Sequence, residues 1–273
     1  MKTVLITGCS SGIGRDAART LRSRGWRVFA SCRKEKDCER LRSRGYDSPQ
    51  IDVNSTESIK NGVNEVLEAT GGTLDALINN AAYALPAAME DFPRQALEEI
   101  FSTNLFGAFD MIHHVMPAMR KQGHGRIINV SSILGIETAR FRGAYSGTKF
   151  ALEGMTDALR KEAGPINVIL VTPGPIATPI RAKARPHFEK WIDWENSALR
   201  DVYENEALPR LYAKSLPANR WVMRPAAVSR KIVIALETDR PRPRYFVTTP
   251  TYAADYARRL LPTRLRDYLF RNA

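Results

Sequence analysis

The chain has 273 residues, of which 44% are hydrophobic and 26% charged, and its net charge is +12. This supports a sizeable core in one large α/β domain or two small ones. Three cysteines make neither a disulfide framework nor a metal spacing, no run of eighteen apolar residues offers a membrane span, and the scattered basic residues form no nucleic-acid motif.

Val4-Leu5-Ile6 is a short, partly β-branched apolar run that predicts a buried strand over 3–7. It enters Thr7-Gly8-Cys9-Ser10-Ser11-Gly12-Ile13-Gly14, and Ala17, Ala18 and Leu21 then fall at helical spacing. Strand, glycine-rich turn and helix in that order make a phosphate site. Glycines let the backbone approach a pyrophosphate, and the helix N-terminus presents free N–H groups. The spacing is G-x-x-x-G-x-G, and the expected contacts are Gly8, Ser10, Ser11, Gly12, Ile13 and Gly14. Cys9 reads as a packing residue within the turn, and Cys38 as a helix-surface residue.

Further strands are expected near 27–32, 49–52, 74–79, 126–131, 166–172 and 244–247. Helices are expected near 13–24, 36–44, 55–69, 93–121 in two pieces, 144–163, 225–237 and 252–270. Strands alternating with helical patterns imply a parallel, doubly wound sheet. The alternation continues without a linker, so a single domain over 1–273 is expected. A first strand at Lys2 or Thr3 leaves no room for a signal peptide, and a reducing cytoplasm is the expected setting.

Tyr145 and Lys149 are one helical turn apart and share a helix face. An ammonium beside a phenol favours the phenolate and lowers a pKa that is otherwise near 10. Residues 179–220 interrupt the alternation with Phe188, Trp191, Trp194, Leu199, Tyr203, Leu208, Leu211, Tyr212 and Leu216. A long apolar insertion at this edge of a parallel sheet reads as a substrate lid for an apolar ligand. The tail over 250–273 interleaves Tyr252, Tyr256, Leu260, Leu265, Tyr268 and Leu269 with Arg258, Arg259, Arg264, Arg266 and Arg271, and Pro262 should break its helix. Packing on the body or on a partner subunit is one reading of the tail, and peripheral contact with an anionic membrane is the other.

Together these motifs resemble the short-chain dehydrogenase/reductase family. The matching pieces are Thr7 to Gly14, Asp52-Val53, Asn79-Asn80-Ala81, Asn104, Asn129 to Ser132, Tyr145 to Lys149, and Pro173-Gly174 with Thr178. The remainder is similar, more loosely, to the retinol- and hydroxysteroid-dehydrogenase-like branch and its bacterial aldehyde reductases. The resemblance implies a Rossmann-type doubly wound sheet of seven strands, order 3-2-1-4-5-6-7, with helices on both faces. It implies a homodimer or homotetramer and a small apolar carbonyl or alcohol as substrate.

It also implies roles. Tyr145 is the general acid/base, Ser132 a hydrogen-bond partner of the same substrate oxygen, and Lys149 the group that tunes Tyr145 and binds the nicotinamide ribose. Asn104 resembles the residue that holds a relay water to Lys149. Asp52 and Val53 fall at the adenine, Asn80 and Ala81 near the ribose, and Pro173, Gly174, Ile176 and Thr178 around the nicotinamide. Ala82 replaces a family glycine, so a strained backbone is expected there. NAD-binding members place an acid at the end of the second strand, where this chain has Cys32 followed by Arg33. A guanidinium pairs with a 2′-phosphate that a carboxylate would repel, so NADP (NADPH) is preferred over NAD. The expected activity is reduction of an aldehyde, retinoid-like, steroid-like or long-chain carbonyl. Alcohol oxidation with NAD(P)+ and a non-catalytic NADP-binding regulator are the alternatives.

Overall fold

The computed structural model describes residues 1–213 and 220–270. Six parallel strands form one sheet: β1 (Thr3–Ile6), β2 (Arg27–Ala30), β3 (Ala76–Asn79), β4 (Gly125–Val130), β5 (Ile166–Thr172) and β6 (Arg244–Phe246). Their order is β2-β1-β3-β4-β5-β6. Order reverses between β1 and β3, which is the crossover that opens a crevice beyond the strands' C-terminal ends.

The strands are continuous apolar runs because helices cover both faces. Val4 and Ile6 point to one face, where they meet α1 (Gly12–Ser23) and α10 (Ala226–Glu237). Leu5 points to the other, where α3 (Thr56–Ala69) and α5 (Gly107–Gln122) pack. Sides alternate along β1 because strand side chains alternate with period two.

The expected strand over 49–52 does not form. Its place beside β2 is filled by two isolated bridges, Phe29 with Asp47 and Cys32 with Gln50. Ala30 donates to the Asp47 carbonyl, so a parallel ladder would next need the N–H of residue 49. That residue is Pro49, which has none. The Ser48 hydroxyl donates to the Ala30 carbonyl instead, at 2.6 Å. The remaining expected strands and their order are present.

α2 (Glu35–Arg42) follows β2, and Cys38 lies on its inner face, fully buried, rather than on its surface. α4 (Arg94–Phe101) and α5 are the two expected pieces of the long helix, joined by a π-helical turn over Ser102–Phe106. α6 (Gly143–Glu162) carries Tyr145 and Lys149 into β5 through a three-residue loop.

Over the C-terminal edge of the sheet lies a third layer. It holds α7 (Ile180–Trp191), α8 (Arg200–Val202), a π-helical turn over Tyr203–Ala207 and α9 (Leu208–Tyr212). Phe188, Ile192, Tyr203 and Leu211 bury themselves there in one cluster with Tyr83, Ile100 and Tyr145. Leu216 and Arg271 lie outside the described residues.

The tail breaks at Pro262 into α11 (Thr249–Leu260) and α12 (Thr263–Phe270). Its inner side touches the body: Arg258 donates to the Ile136 carbonyl and Arg266 pairs with Glu137 at 3.1 Å. Tyr256, Leu260 and Tyr268 are left exposed. Among the described residues no helix is long and apolar enough to cross a membrane.

Candidate active site

The phosphate loop is shaped by what a side chain would hit. Gly8 and Gly12 have φ of +74° and +59°, a region costly for any residue with a Cβ. A Cβ on Gly14 would lie 2.5 Å from Asn80 Nδ2 and 2.6 Å from the Gly8 carbonyl oxygen. Asn80 Nδ2 donates to the Thr7 carbonyl at 2.8 Å, and Thr7 Oγ1 accepts from the backbone N–H of both Asn80 and Ala81. Asn80 and Ala81 therefore build the loop from beneath, and the Asn80 amide is committed to it. The expected strain at Ala82 is absent: Phe141 is the one non-glycine with positive φ among the described residues.

The Ser11 side chain caps none of the first-turn N–H groups of α1. Those donors, the positive end of the helix dipole and the glycine cradle fit a dinucleotide's phosphates. Four cations surround the turn. Arg40 donates to the Ser10 carbonyl at 3.2 Å, Lys183 donates to the Ser10 and Ser11 hydroxyls, and Arg15 and Arg33 stand close enough to act on Lys183. Arg33 is exposed and has no ion-pair partner among the described residues. Ile13 packs into the core below. Asp52 Oδ1 accepts from Asn54 N–H at 3.0 Å, so this carboxylate shapes its own turn, and the Val53 carbonyl abuts Gly107.

Ser132 lies just past the end of β4. Its hydroxyl accepts from Leu134 N–H at 3.1 Å, and it stands close enough to the Tyr145 hydroxyl to pull that phenol's pKa down. Ser131 points the other way, toward Gly135, which assigns the partner of Tyr145 to Ser132. Lys149 Nζ donates to the Val130 carbonyl at 2.9 Å and sits 5.7 Å from the centre of the Tyr145 ring. Burial pushes the Tyr145 phenol up to about 12, with Ser132 pulling the other way. Burial lowers Lys149 to about 8, against the pull of Glu153. The expectation that Lys149 lowers the phenol's pKa is therefore corrected: desolvation wins, and the ammonium is turned to a carbonyl.

Asn104 sits in the π-helical turn. Its Oδ1 accepts from Tyr83 N–H, and its Nδ2 donates to the Tyr83 carbonyl and to Thr148 Oγ1. It joins the β3 loop to α6, and Lys149 is not among its partners. The loop from Pro173 to Thr178 is pinned at three points. Pro173 accepts from Ile133 N–H, Pro175 accepts from Met223 N–H, and Ala177 donates to the Met223 carbonyl beside the bridge of Ile176 with Met223. A Cβ on Gly174 would collide with Thr248 Oγ1, so this glycine lets α11 approach. Thr178 lies against Gly12, which brings the loop end over the phosphate turn.

Sequence reasoning missed a second cluster. Glu99 on α4 accepts from Lys190 at 2.7 Å, Trp191 at 3.1 Å and His187 at 3.2 Å, all on α7. Tyr83 stacks on His187 with ring centres 3.9 Å apart. Tyr203 donates to Asp91 at 2.6 Å and accepts from Ala88 N–H at 2.8 Å. The spacing of Lys183, His187 and Lys190 was a legible signal for one helix face, but nothing in the sequence names Glu99 as its partner.

Comparison with known proteins places these features. A family described as short chain dehydrogenase matches residues 2–189. An uncharacterized oxidoreductase of Escherichia coli, YbbO, is 38% identical over 97% of this chain and 93% of its own length. Mouse retinol dehydrogenase 16 is 34% identical over 76% of this chain and 68% of its own. Among solved structures, a single-site variant of actinorhodin polyketide ketoreductase with NADPH superposes with a TM-score of 0.72, at 28% identity over 90% of this chain and 95% of that one.

Proposed function

We propose a function from this premise: the chain belongs to the short-chain dehydrogenase/reductase family and is an NAD(P)-dependent oxidoreductase. Our reading is that it reduces the carbonyl of an apolar aldehyde or ketone with NADPH. The observation that carries it is that Tyr145, with Ser132 and Lys149 beside it, is buried in one cluster with the roof residues Phe188, Tyr203 and Leu211.

A bound nicotinamide supplies the hydride. The glycine turn, Ser10, Ser11 and the first turn of α1 would hold its phosphates, Arg33 the 2′-phosphate, and the Pro173–Thr178 loop the nicotinamide end. The chain's own residues handle the proton. Tyr145 keeps its proton throughout the neutral range because burial disfavours the phenolate, which suits a donor to carbonyl oxygen better than a base for alcohol. Ser132 orients that hydroxyl and donates to the same oxygen. Lys149 restores charge beside the ring as the phenol gives up its proton. The roof excludes water, which strengthens each of these interactions. Its aromatic and aliphatic lining favours retinoid-like, steroid-like or long-chain substrates. The presence of a retinol dehydrogenase among the relatives supports this reading.

The experiment is loss of NADPH absorbance at the nicotinamide band, run with NADPH and then NADH against aldehydes, ketones, retinal and steroids. Turnover on apolar carbonyls with NADPH is expected. Turnover confined to small polar carbonyls would overturn the substrate class, and equal use of NADH would overturn the cofactor choice.

A further inference from the structure

Lys183 stands where the roof meets the phosphate loop. From the first turn of α7 its Nζ donates to Ser11 Oγ at 2.7 Å and to Ser10 Oγ at 3.2 Å. Both acceptors are neutral, and they sit at the N-terminus of α1, the positive end of its dipole. Arg15 and Arg33 act on Lys183 as like charges. Asp37 is the carboxylate that offsets them, and it is already paired with Arg40 at 2.9 Å. Lys183 itself has no ion-pair partner among the described residues. A lysine gains little by approaching a helix N-terminus ringed by arginines, so an anion among these cations would stabilise the arrangement.

The two ends of α7 differ. At its C-terminal end Lys190, His187 and Trp191 converge on the Glu99 carboxylate of α4. At its N-terminal end Lys183 presents the same kind of charge to a turn that lacks any carboxylate. Two turns of one helix thus separate the protein anion under Lys190 from the place where a ligand anion fits under Lys183.

We propose that Lys183 binds the 2′-phosphate of the dinucleotide, opposite Arg33. The 2′-phosphate is favoured over the pyrophosphate because Ser10, to which Lys183 donates, also meets Arg40 of α2 at 3.2 Å, and α2 follows directly on the end of β2 and Arg33. That is the end of the site where an acid would hold an unphosphorylated ribose. The proposal rests on the NADPH reading above and adds a residue carried by the substrate roof, 172 positions along the chain from Ser11.

The test is the dissociation constant of NADPH and of NADH for the full chain, by calorimetry, in the wild type and in Lys183→Gln and Lys183→Arg. Lys183→Gln is expected to weaken NADPH by at least about tenfold, the scale of a lost charge-assisted hydrogen bond, and to leave NADH unchanged. Lys183→Arg should keep most of the affinity. Equal weakening of both dinucleotides would move the contact to the pyrophosphate and overturn the assignment. Unchanged NADPH affinity in Lys183→Gln, with the melting temperature of the wild type, would remove Lys183 from the site. A wild type that binds NADH as tightly as NADPH would instead fail the cofactor reading, whatever the variants do.

Discussion

The floor of the site and its roof are held by different bonds. From Thr7 to Gly14 and from Val130 to Lys149 the partners are mostly backbone groups: the Thr7 carbonyl for Asn80, the Val130 carbonyl for Lys149, the Tyr83 amide for Asn104. From Ile180 to Tyr212 they are mostly side chains: Glu99 for three α7 donors, Asp91 for Tyr203, two serines for Lys183. Backbone partners are present whatever the neighbouring side chain, so the floor is rigid and its chemistry tolerates few substitutions. Side-chain partners can be exchanged singly, so the roof can change its substrate without disturbing the sheet.

The largest expected effect breaks the floor's chemistry. Tyr145→Phe should lower turnover by about 10²–10⁴-fold, the usual worth of general acid catalysis, with NADPH binding retained. Turnover kept near the wild-type level would take Tyr145 out of the proton path. Next comes the floor's shape. Gly14→Ala drives a methyl into Asn80 Nδ2 and the Gly8 carbonyl. It should cost about 1–3 kcal/mol of stability, as overpacking does, together with measurable dinucleotide affinity. A melting curve and a calorimetric titration equal to the wild type would refute the close contact.

The roof should give more gently. Glu99→Gln removes the anion on which Lys190, His187 and Trp191 converge. Because Glu99 is about a quarter exposed, solvent screens part of the loss. The expected outcome is a rise in KM for an apolar carbonyl of about tenfold or less, with kcat and the NADPH dissociation constant little changed. An equal fall in kcat would show that α7 positions the reacting groups as well as covering them. The smallest effect is in pH. Lys149 is lowered to about 8, so its charge is lost as pH rises through that value, while Tyr145, raised to about 12, keeps its proton. The reductive kcat/KM should be level below about pH 8 and fall gradually above it. A profile level to about pH 10 would show that Lys149 holds its proton more tightly than burial alone suggests.

Much of the floor was legible because its constraints are local. The glycine spacing reads directly as a turn in which a Cβ would strike a neighbour. Tyr145 and Lys149 are one turn apart on any helix, and Ser131 and Ser132 must face opposite ways at a strand end. Where local reading failed, a distant group had intervened. The third strand dissolved into two bridges because Pro49 meets the one register position that needs a donor. Gly174 reads as part of the nicotinamide loop, yet its missing Cβ makes room for Thr248 beside α11. Asn104 reads as the holder of a water to Lys149, and the structure adds a second task, since its side chain clasps the Tyr83 backbone.

The sequence by itself determined the parallel sheet, the phosphate turn and the shared helix face of Tyr145 and Lys149, from hydrophobic period, glycine spacing and helical geometry over short stretches of chain. The grouping of Ser132 with that pair is what the family resemblance implies. Only the tertiary structure decided the protonation of that set, because desolvation depends on how deeply α6 and the roof bury Tyr145 and Lys149. Only it decided where the roof helix is anchored, because Glu99 with Lys190 and Ser11 with Lys183 are contacts between segments 91 and 172 residues apart. Charge pairing of that range leaves no period in a sequence; it exists once the sheet has brought the two segments to one edge.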